Sequence, residues 1–241
     1  MDNWKQALWL AKFELKKSLM GLWSFLVMLM AFSLLFVTMM PSYIEKGFVG
    51  MDLFFLMAFG ISAVWVKPKE FQYQKIDENL WGSPLFMTLS QLPIKKEVLV
   101  RSRFLIYFIY AIPFQILLLS LLYIFSAEIR GVMSIPSYIA FSSIWLAYGV
   151  CFGGAFPAVD AGDRITLSKS IIQSIILLFV TMVALTTFHL VYGNGFIYWT
   201  MMLADRWTIL SLLISAFIIV AGLQYWKSYT YKKMNQIDYL K

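Results

Sequence analysis

The sequence predicts an all-α membrane protein: six transmembrane helices, an amphipathic helix before the first, and one long basic loop between the second and third. Three observations carry this. Apolar residues make up 61% of the 241 positions and charged residues only 14%, against about 25% charge in a soluble domain. Mean hydropathy is +0.74. The apolar residues fall into blocks long enough to cross a ~30 Å hydrocarbon core at 1.5 Å per residue. The Lys and Arg residues between those blocks alternate between many and few.

The amino-terminal segment Asp2–Ser18 comes first. At 100° per residue Trp4, Ala7, Leu8, Ala11 and Leu15 form one stripe, Lys5, Lys12 and Lys16 a second, and Trp9 and Phe13 lie beyond the lysines. This pattern predicts a helix lying in a membrane interface, with Trp9 and Phe13 available to a protein partner. The block after it starts near Leu19 and lacks a small-residue cleavage site, so it reads as a retained span rather than a signal peptide.

The six spans are expected at Leu19–Met39, Phe48–Val66, Phe104–Phe125, Pro136–Pro157, Ser170–Tyr192 and Trp207–Trp226. The second is the weakest, with Asp52 near its start. Trp23, Trp65, Trp207 and Trp226 fall near span ends, where amphipathic rings favour the headgroup level. Counted segment by segment, Lys and Arg number four, one, seven, one, two, one and four. The positive-inside rule then puts both termini in the cytoplasm. No soluble domain interrupts the pattern, so residues 1–241 read as one transmembrane domain.

The loop after span two contains LSQLPIKKEVLVRSRF, Leu89–Phe104. Pro93 suits a first helical turn, Ser90 is placed to cap it, and Glu97 complements the helix dipole. Ile94 and Val98 share a face, while Lys95, Lys96 and Arg101 lie on others. A short amphipathic helix leading into span three is expected here.

Several chemistries are excluded. Spans one, three, four and six contain no ionisable residue, which argues against an ion-coupled carrier built on buried carboxylates. GxxxxGK[ST] is absent, so this chain does not carry an ATP-binding loop of that type. One Cys and one His, Cys151 and His189, are too few for a Cys-based metal site or a two-histidine mechanism, and no protease nucleophile motif occurs. No catalytic, cofactor-binding or metal-ligating residue is assigned. The net charge of +7 reflects topology rather than nucleic-acid binding. Cys151 reads as a small apolar residue of its helix. Gln115 and Gln173 are candidates for hydrogen bonds between helices. The small residues of GGAFP, Gly153–Pro157, suit close helix contact, with the proline ending span four.

The Asp77–Arg103 stretch resembles the cytoplasmic loop of bacterial ABC-2 type transporter permeases. Asp77, Glu78, Asn79, Gly82 and Ser83 match that family's acidic-Asn-Gly-Ser run. Leu92, Pro93, Ile94, Lys95, Lys96, Glu97, Val98 and Arg103 match its following "LPisRkeiv" segment. Lys95 and the inserted Leu80-Trp81 depart from the pattern. The motif covers about a tenth of the chain; the spans, inside termini and basic first helix extend the likeness in architecture.

The resemblance implies roles. Asp2–Ser18 would be a connecting helix, with Trp4, Trp9, Lys12, Phe13 and Lys16 on its working faces. Leu92, Pro93, Ile94, Lys95, Lys96, Glu97, Val98 and Arg101 would form a coupling helix docked on a separate ATPase subunit. The Asp160–Lys169 loop would make a smaller contact, and GNGFIYWTMMLAD would hold short helices between spans five and six. The chain would then be the permease of an ATP-driven exporter in a bacterial cell membrane, paired with a second permease subunit and two ATPase subunits that bind ATP and Mg. A hydrophobic or amphipathic cargo such as a peptide, lipid or drug is implied, and Gln173, Thr181, Thr187 and His189 would line its path. The alternative reading is a non-transport membrane immunity or sensor protein that binds a peptide.

Overall fold

The computed structural model describes residues 2–16, 19–61, 64, 73–76 and 80–236, with the backbone alone for 19–22. Among these residues there are eleven helices and one small sheet. Helix α1 covers Asn3–Lys16, α2 Leu19–Lys46 and α3 Val49–Gly60. Strands β1 (Gln74–Lys75) and β2 (Leu80–Gly82) precede α4 (Pro84–Ser90) and α5 (Lys96–Phe125). Then come α6 (Ala127–Val132), α7 (Ile135–Gly153), α8 (Ala155–Asp160), β3 (Asp163–Arg164), α9 (Leu167–Tyr192), α10 (Phe196–Arg206) and α11 (Thr208–Gln236).

Among the described residues, five helical segments are long and apolar enough to cross a membrane: Trp23–Lys46, Lys96–Phe125, Ile135–Asp160, Leu167–Tyr192 and Thr208–Gln236. They fall on five of the six expected spans. The other, expected at 48–66, falls on α3. Its 12 residues reach about 18 Å at 1.5 Å per residue, and residues 62, 63, 65 and 66 lie outside the described ones. So do Lys17, Lys67, Lys69, Asp77, Glu78, Asn79 and Lys241.

Helix α3 is nonetheless the centre of the fold. Its residues Met51, Asp52, Phe55, Ala58, Phe59 and Gly60 are buried. The Phe55 ring meets Trp145 of α7 edge-on at 4.5 Å and lies 4.9 Å from Phe36 of α2. Phe114, Leu118 and Leu122 of α5 and Ile197, Met201 and Ala204 of α10 complete this core. Glycines allow α5 and α7 to approach. A Cβ at Gly149 would strike the Gln115 amide, and one at Gly153 the Tyr107 hydroxyl. Tyr107 instead donates to the Gly149 carbonyl at 2.9 Å.

The outer helices invert the soluble pattern. On α9 only Leu185 is buried. On α11 the buried residues are Ser211, Ser215, Thr230 and Met234, while Ile209, Leu213 and Phe217 are 64–75% exposed. Small polar residues face the protein and large apolar ones face outward, as expected where hydrocarbon rather than water is the solvent. A Cβ at Gly222 would strike the Cys151 sulfur. Trp226 donates its indole N–H to the Cys151 carbonyl at 2.6 Å, so this ring is anchored to α7 rather than standing free at a span end.

Several boundaries differ from expectation for physical reasons. Span one continues through Pro41 to Lys46. The proline is exposed and removes one helical hydrogen bond, but its neighbours Met40 and Tyr43 are buried and hold the helix. Pro157 does not end span four. The break is at Gly154, and Pro157 sits in the first turn of α8, where its missing N–H costs little. Ser90 does not cap a helix at Pro93. Its hydroxyl donates to the Met87 carbonyl at 2.7 Å and closes α4. Pro93 lies in the bend that follows, and α5 starts at Lys96. The segment expected to form a short helix leading into span three is a bend at Leu92–Lys95 followed by the first two turns of a 30-residue helix.

The polar elements gather at one end. Helix α1 packs on the start of α5, where the Arg103 guanidinium forms a two-pronged ion pair with the Glu14 carboxylate. Both residues are buried. Breaking such a pair from one side leaves an uncompensated buried charge, at a cost of about 3–5 kcal/mol, whereas apolar replacement of both is often neutral. Glu14→Leu should therefore lower the thermal midpoint of the detergent-solubilised protein sharply, and Glu14→Leu with Arg103→Met should recover most of the loss. Circular dichroism melts of the three proteins check this order.

Candidate functional site

The basic end is assembled from four separate parts of the chain. In the sheet, order β1-β2-β3, Leu80 pairs with Arg164 and Trp81 with Asp163. The loop before α4 and the loop before α9 are thus one structure. The Ser83 N–H donates to the Asp160 carbonyl at 3.3 Å. The Tyr73 ring stacks on Trp81 at 5.8 Å. Burial, and then the Asp163 carboxylate, push the Tyr73 hydroxyl up to about 12. Lys233 of α11 meets Asp163 at 2.7 Å and donates to the Ala158 carbonyl at 3.0 Å. Lys96 of α5 donates to the Asn235 side chain at 2.7 Å.

Helix α1 lies across the base of α5, but not on the stripe read from the sequence. Its buried face is Ala7, Leu10, Ala11 and Glu14; Leu8 and Trp4 are about half exposed. Two alanines permit close approach, and Glu14 turns inward because Arg103 is there to neutralise it. Asn3 donates to the Glu97 carboxylate at 3.0 Å, and the Arg101 guanidinium lies 4.5 Å from the Trp4 ring centroid. The opposite face carries Trp9 and Phe13, 65% and 45% exposed and stacked at 6.4 Å, with exposed Lys12 and Lys16.

The eight residues of the expected coupling segment divide into three groups. Leu92, Pro93, Lys95 and Lys96 are exposed, with Ile94 half-buried beside them. Glu97 and Arg101 bind each other and hold α1. Val98 is fully buried, in a cluster with Ala7, Leu10, Phe86 and Met234. The surface open to a partner is thus Leu92–Lys96, and Val98 belongs to the packing beneath it.

At the other end a second buried polar node ties α2, α3 and α10 together. Tyr43 donates to the Asp52 carboxylate at 2.5 Å, and the Ile197 N–H donates to the same oxygen at 2.9 Å. The Tyr198 N–H donates to the Tyr43 oxygen at 3.2 Å. Asp52 therefore caps α10 from a distant part of the chain, where a carboxylate complements the helix dipole. A Cβ at Gly195 would strike the Tyr43 hydroxyl and stand 2.8 Å from the other Asp52 oxygen. His189 packs on Gly47, where the chain adopts φ +66° and a Cβ would lie 2.6 Å from the imidazole. The sequence reading noted Asp52 only as a weakness of span two. Its partners are 9 and 145 residues away, and nothing in local spacing points to them.

The candidate path residues do not converge. All four are on α9, but Gln173 and Thr187 are exposed, whereas His189 is half-buried against Gly47. Thr181 turns its hydroxyl to the Leu177 carbonyl of its own helix. Of the two glutamines, Gln115 is fully buried and donates from α5 to the Phe59 carbonyl of α3 at 2.8 Å, while Gln173 is exposed.

Comparison with family models, with curated proteins and with solved structures finds no match to this chain. Its class is defined by its own geometry: an all-α, multi-pass membrane protein with two buried polar nodes and one basic end. The Asp52 node gives a direct test. Asp52→Ala strands the Ile197 N–H and the Tyr43 hydroxyl, each at about 1–3 kcal/mol; Asp52→Asn keeps an acceptor and should cost less. Thermal unfolding of both variants, with Tyr43→Phe alongside, is expected to rank Asp52→Ala as the least stable.

Proposed function

We propose that the chain is the membrane-spanning permease subunit of an ATP-driven exporter, energised by a separate ATPase. In this reading α3 belongs to the second of six spans, α1 lies along the cytoplasmic leaflet as the connecting helix, and both termini are cytoplasmic. Two permease subunits and two ATPase subunits make the working complex, and ATP and Mg bind the ATPases.

The single observation that carries the reading is the platform at the basic end. There Leu92–Lys96 is exposed at the tip of a 30-residue helix, and that helix is braced by α1 through Glu14–Arg103. A force applied to the exposed bend would act on a helix that continues, with Pro113 inside it, to Phe125, and through α1 on the interface beside it. Such rigid elements transmit motion from one side of a membrane to the other. The β2–β3 pairing adds the Asp163–Arg164 turn to the same platform. The charge distribution supports the orientation. Of the described basic residues, Lys46, Arg130 and Arg206 belong to the Asp52 end, and the others lie in α1, the 73–103 region, the 164–169 connection or the end of α11. Positive charge favours the cytoplasmic side.

The test is co-purification. The tagged chain is captured from its own host cells in mild detergent, and the ATPase retained with it is identified by mass spectrometry. Leu92→Glu combined with Lys95→Glu should weaken retention of the ATPase by at least about tenfold, or ~1.4 kcal/mol, with the melting profile of the permease unchanged. Val98→Asp should instead fail at folding. Full retention of the ATPase by the Leu92/Lys95 variant removes the coupling surface from the proposal.

A further inference from the structure

His189 is the single histidine of the chain and lies in the last turn of α9. The helix ends just beyond it, where the Gly193 N–H donates to the His189 carbonyl at 2.8 Å and Gly193 adopts φ +71°. The imidazole turns its Cε1–Nδ1 edge to Gly47. A Cβ on Gly47 would lie 2.6 Å from Cε1, 3.1 Å from Nδ1 and 3.4 Å from the Gly195 nitrogen. A Cβ on Gly195 would lie 2.8 Å from Oδ2 of Asp52. The imidazole and the carboxylate therefore border the same pair of glycines, and the two groups interact electrostatically.

Two atoms at this junction are unspent. Asp52 is fully buried. Its Oδ1 accepts from Tyr43 and from the Ile197 N–H, but its Oδ2 has no hydrogen-bond partner among the described residues, and neither has Nδ1 of His189. The Phe196 N–H also acts on the carboxylate without closing a hydrogen bond to Oδ2. Both unspent atoms are shut off from the surface, whereas Nε2 of the half-buried imidazole is not. Buried polar atoms are paired as a rule, and these two are complementary. A carboxylate oxygen accepts, and an imidazole nitrogen donates in one tautomer and accepts in the other.

The other titratable groups around the imidazole do not compete for it. Tyr43 of α2 is committed to Oδ1 of Asp52. Tyr198, in the first turn of α10, gives its N–H to the Tyr43 oxygen. Tyr192 of α9 packs on Phe188. Glu45 and Lys46, beside Gly47, are exposed and form no ion pair among the described residues. The other buried carboxylates among the described residues, Glu14 and Asp160, lie at the basic end.

We propose that Asp52 is a positioning residue for His189: Oδ2 takes a hydrogen bond from Nδ1–H, directly or across one water, which fixes the tautomer and leaves Nε2 as a proton acceptor on the accessible side. Which ring nitrogen carries the proton is set by the bond the other makes. A proton taken up by Nε2 creates an imidazolium beside a buried carboxylate and in the last turn of a helix, where opposite charges attract. That attraction fastens the end of α9, a helix on which only Leu185 is buried, to the turn between α2 and α3. It exists only while the ring is charged. The fastening is therefore strongest on the acid side of the range in which imidazoles titrate, about pH 5 to 8, and is lost on the alkaline side. The proposal rests on contacts within one chain and not on ATP-driven transport, so it stands or falls separately from the permease reading.

Because the chain has one histidine, nitrogen-15 histidine labelling reports on His189 alone. The full chain is reconstituted in liposomes and observed by magic-angle-spinning NMR. At about pH 8, where the neutral ring prevails, the proton is expected on Nδ1. Asp52→Asn keeps an acceptor for Tyr43 and Ile197 and puts an amide donor where Oδ2 stood, so Nδ1 must accept and the proton should move to Nε2. Should Asp52→Asn not elute as a single species, a dipolar contact between Nδ1 and carbon-13 in the aspartate carboxyls of the unaltered chain decides instead, and its absence overturns the pairing. A proton on Nε2 in the unaltered chain, or a tautomer indifferent to Asp52→Asn, overturns the positioning role. Melting temperatures test the fastening. The advantage of the unaltered chain over His189→Gln should widen by about 2 °C or more between about pH 8 and about pH 5, and the widening should be smaller in the Asp52→Asn background. An advantage that does not change with pH, or a widening just as large with Asp52→Asn, overturns it.

Discussion

In hydrocarbon no polar group can be handed back to water, and this constraint organises the structure. Many buried polar side chains among the described residues join two elements or fold back on their own helix, while the Ser33 and Ser83 hydroxyls have no hydrogen-bond partner there. Gln115 is spent on joining α5 to α3, Tyr107 on α5 to α7, and Trp226 on α11 to α7. Ser174, Thr181 and Thr230 return their hydroxyls to carbonyls of their own helices. The result is a bundle whose exterior is nearly blank chemically and whose few polar contacts define which helices stay together. Removing water also removes the usual reason for large apolar residues to face inward. That is why α11 packs through serines and a glycine and leaves its isoleucines and phenylalanine outside.

Two of the buried carboxylates, Glu14 and Asp52, illustrate different solutions to the same problem. Glu14 is neutralised by a cation, Arg103, in a bidentate pair that resists rotation as well as separation. Asp52 has no cation in hydrogen-bonding contact with it among the described residues; a phenol and helix amides hold it instead. The first arrangement fixes a surface helix to the base of α5 at the basic end. The second fixes the turn between α2 and α3 to the start of α10 at the far end. Between them the aromatic contacts of Phe36, Phe55, Phe59 and Trp145 fill the interior. Helix α9, with one buried residue, is the least held of the long helices.

Much of the fold was legible in the sequence because the membrane imposes a one-dimensional rule. A run of about 20 apolar residues has few alternatives to a spanning helix, and five expected spans coincide with long helices for that reason. The alternation of Lys and Arg likewise sorted the connections into two sets, and each set assembles at its own end of the bundle. The helix ends were less legible. Pro93 and Pro157 were read as local punctuation, and span one was expected to end at Met39, just before Pro41. Whether a proline stops a helix depends on what its neighbours bury, and Met40, Tyr43 and Ala158 are committed to packing.

What the sequence by itself determined was the class of solvent, the approximate placement of the spans and the concentration of basic charge on alternate connections, since each depends on composition summed over a segment. Only the tertiary structure decided which residues of the Leu92–Arg101 segment are surface and which are packing. It alone paired β2 with β3, turned Glu14 inward, and gave Asp52 its partners. These outcomes depend on contacts between residues as far apart as 9 to 145 positions. Helical periodicity constrains neighbours three or four positions apart; it carries no information about which distant helix will arrive to meet them.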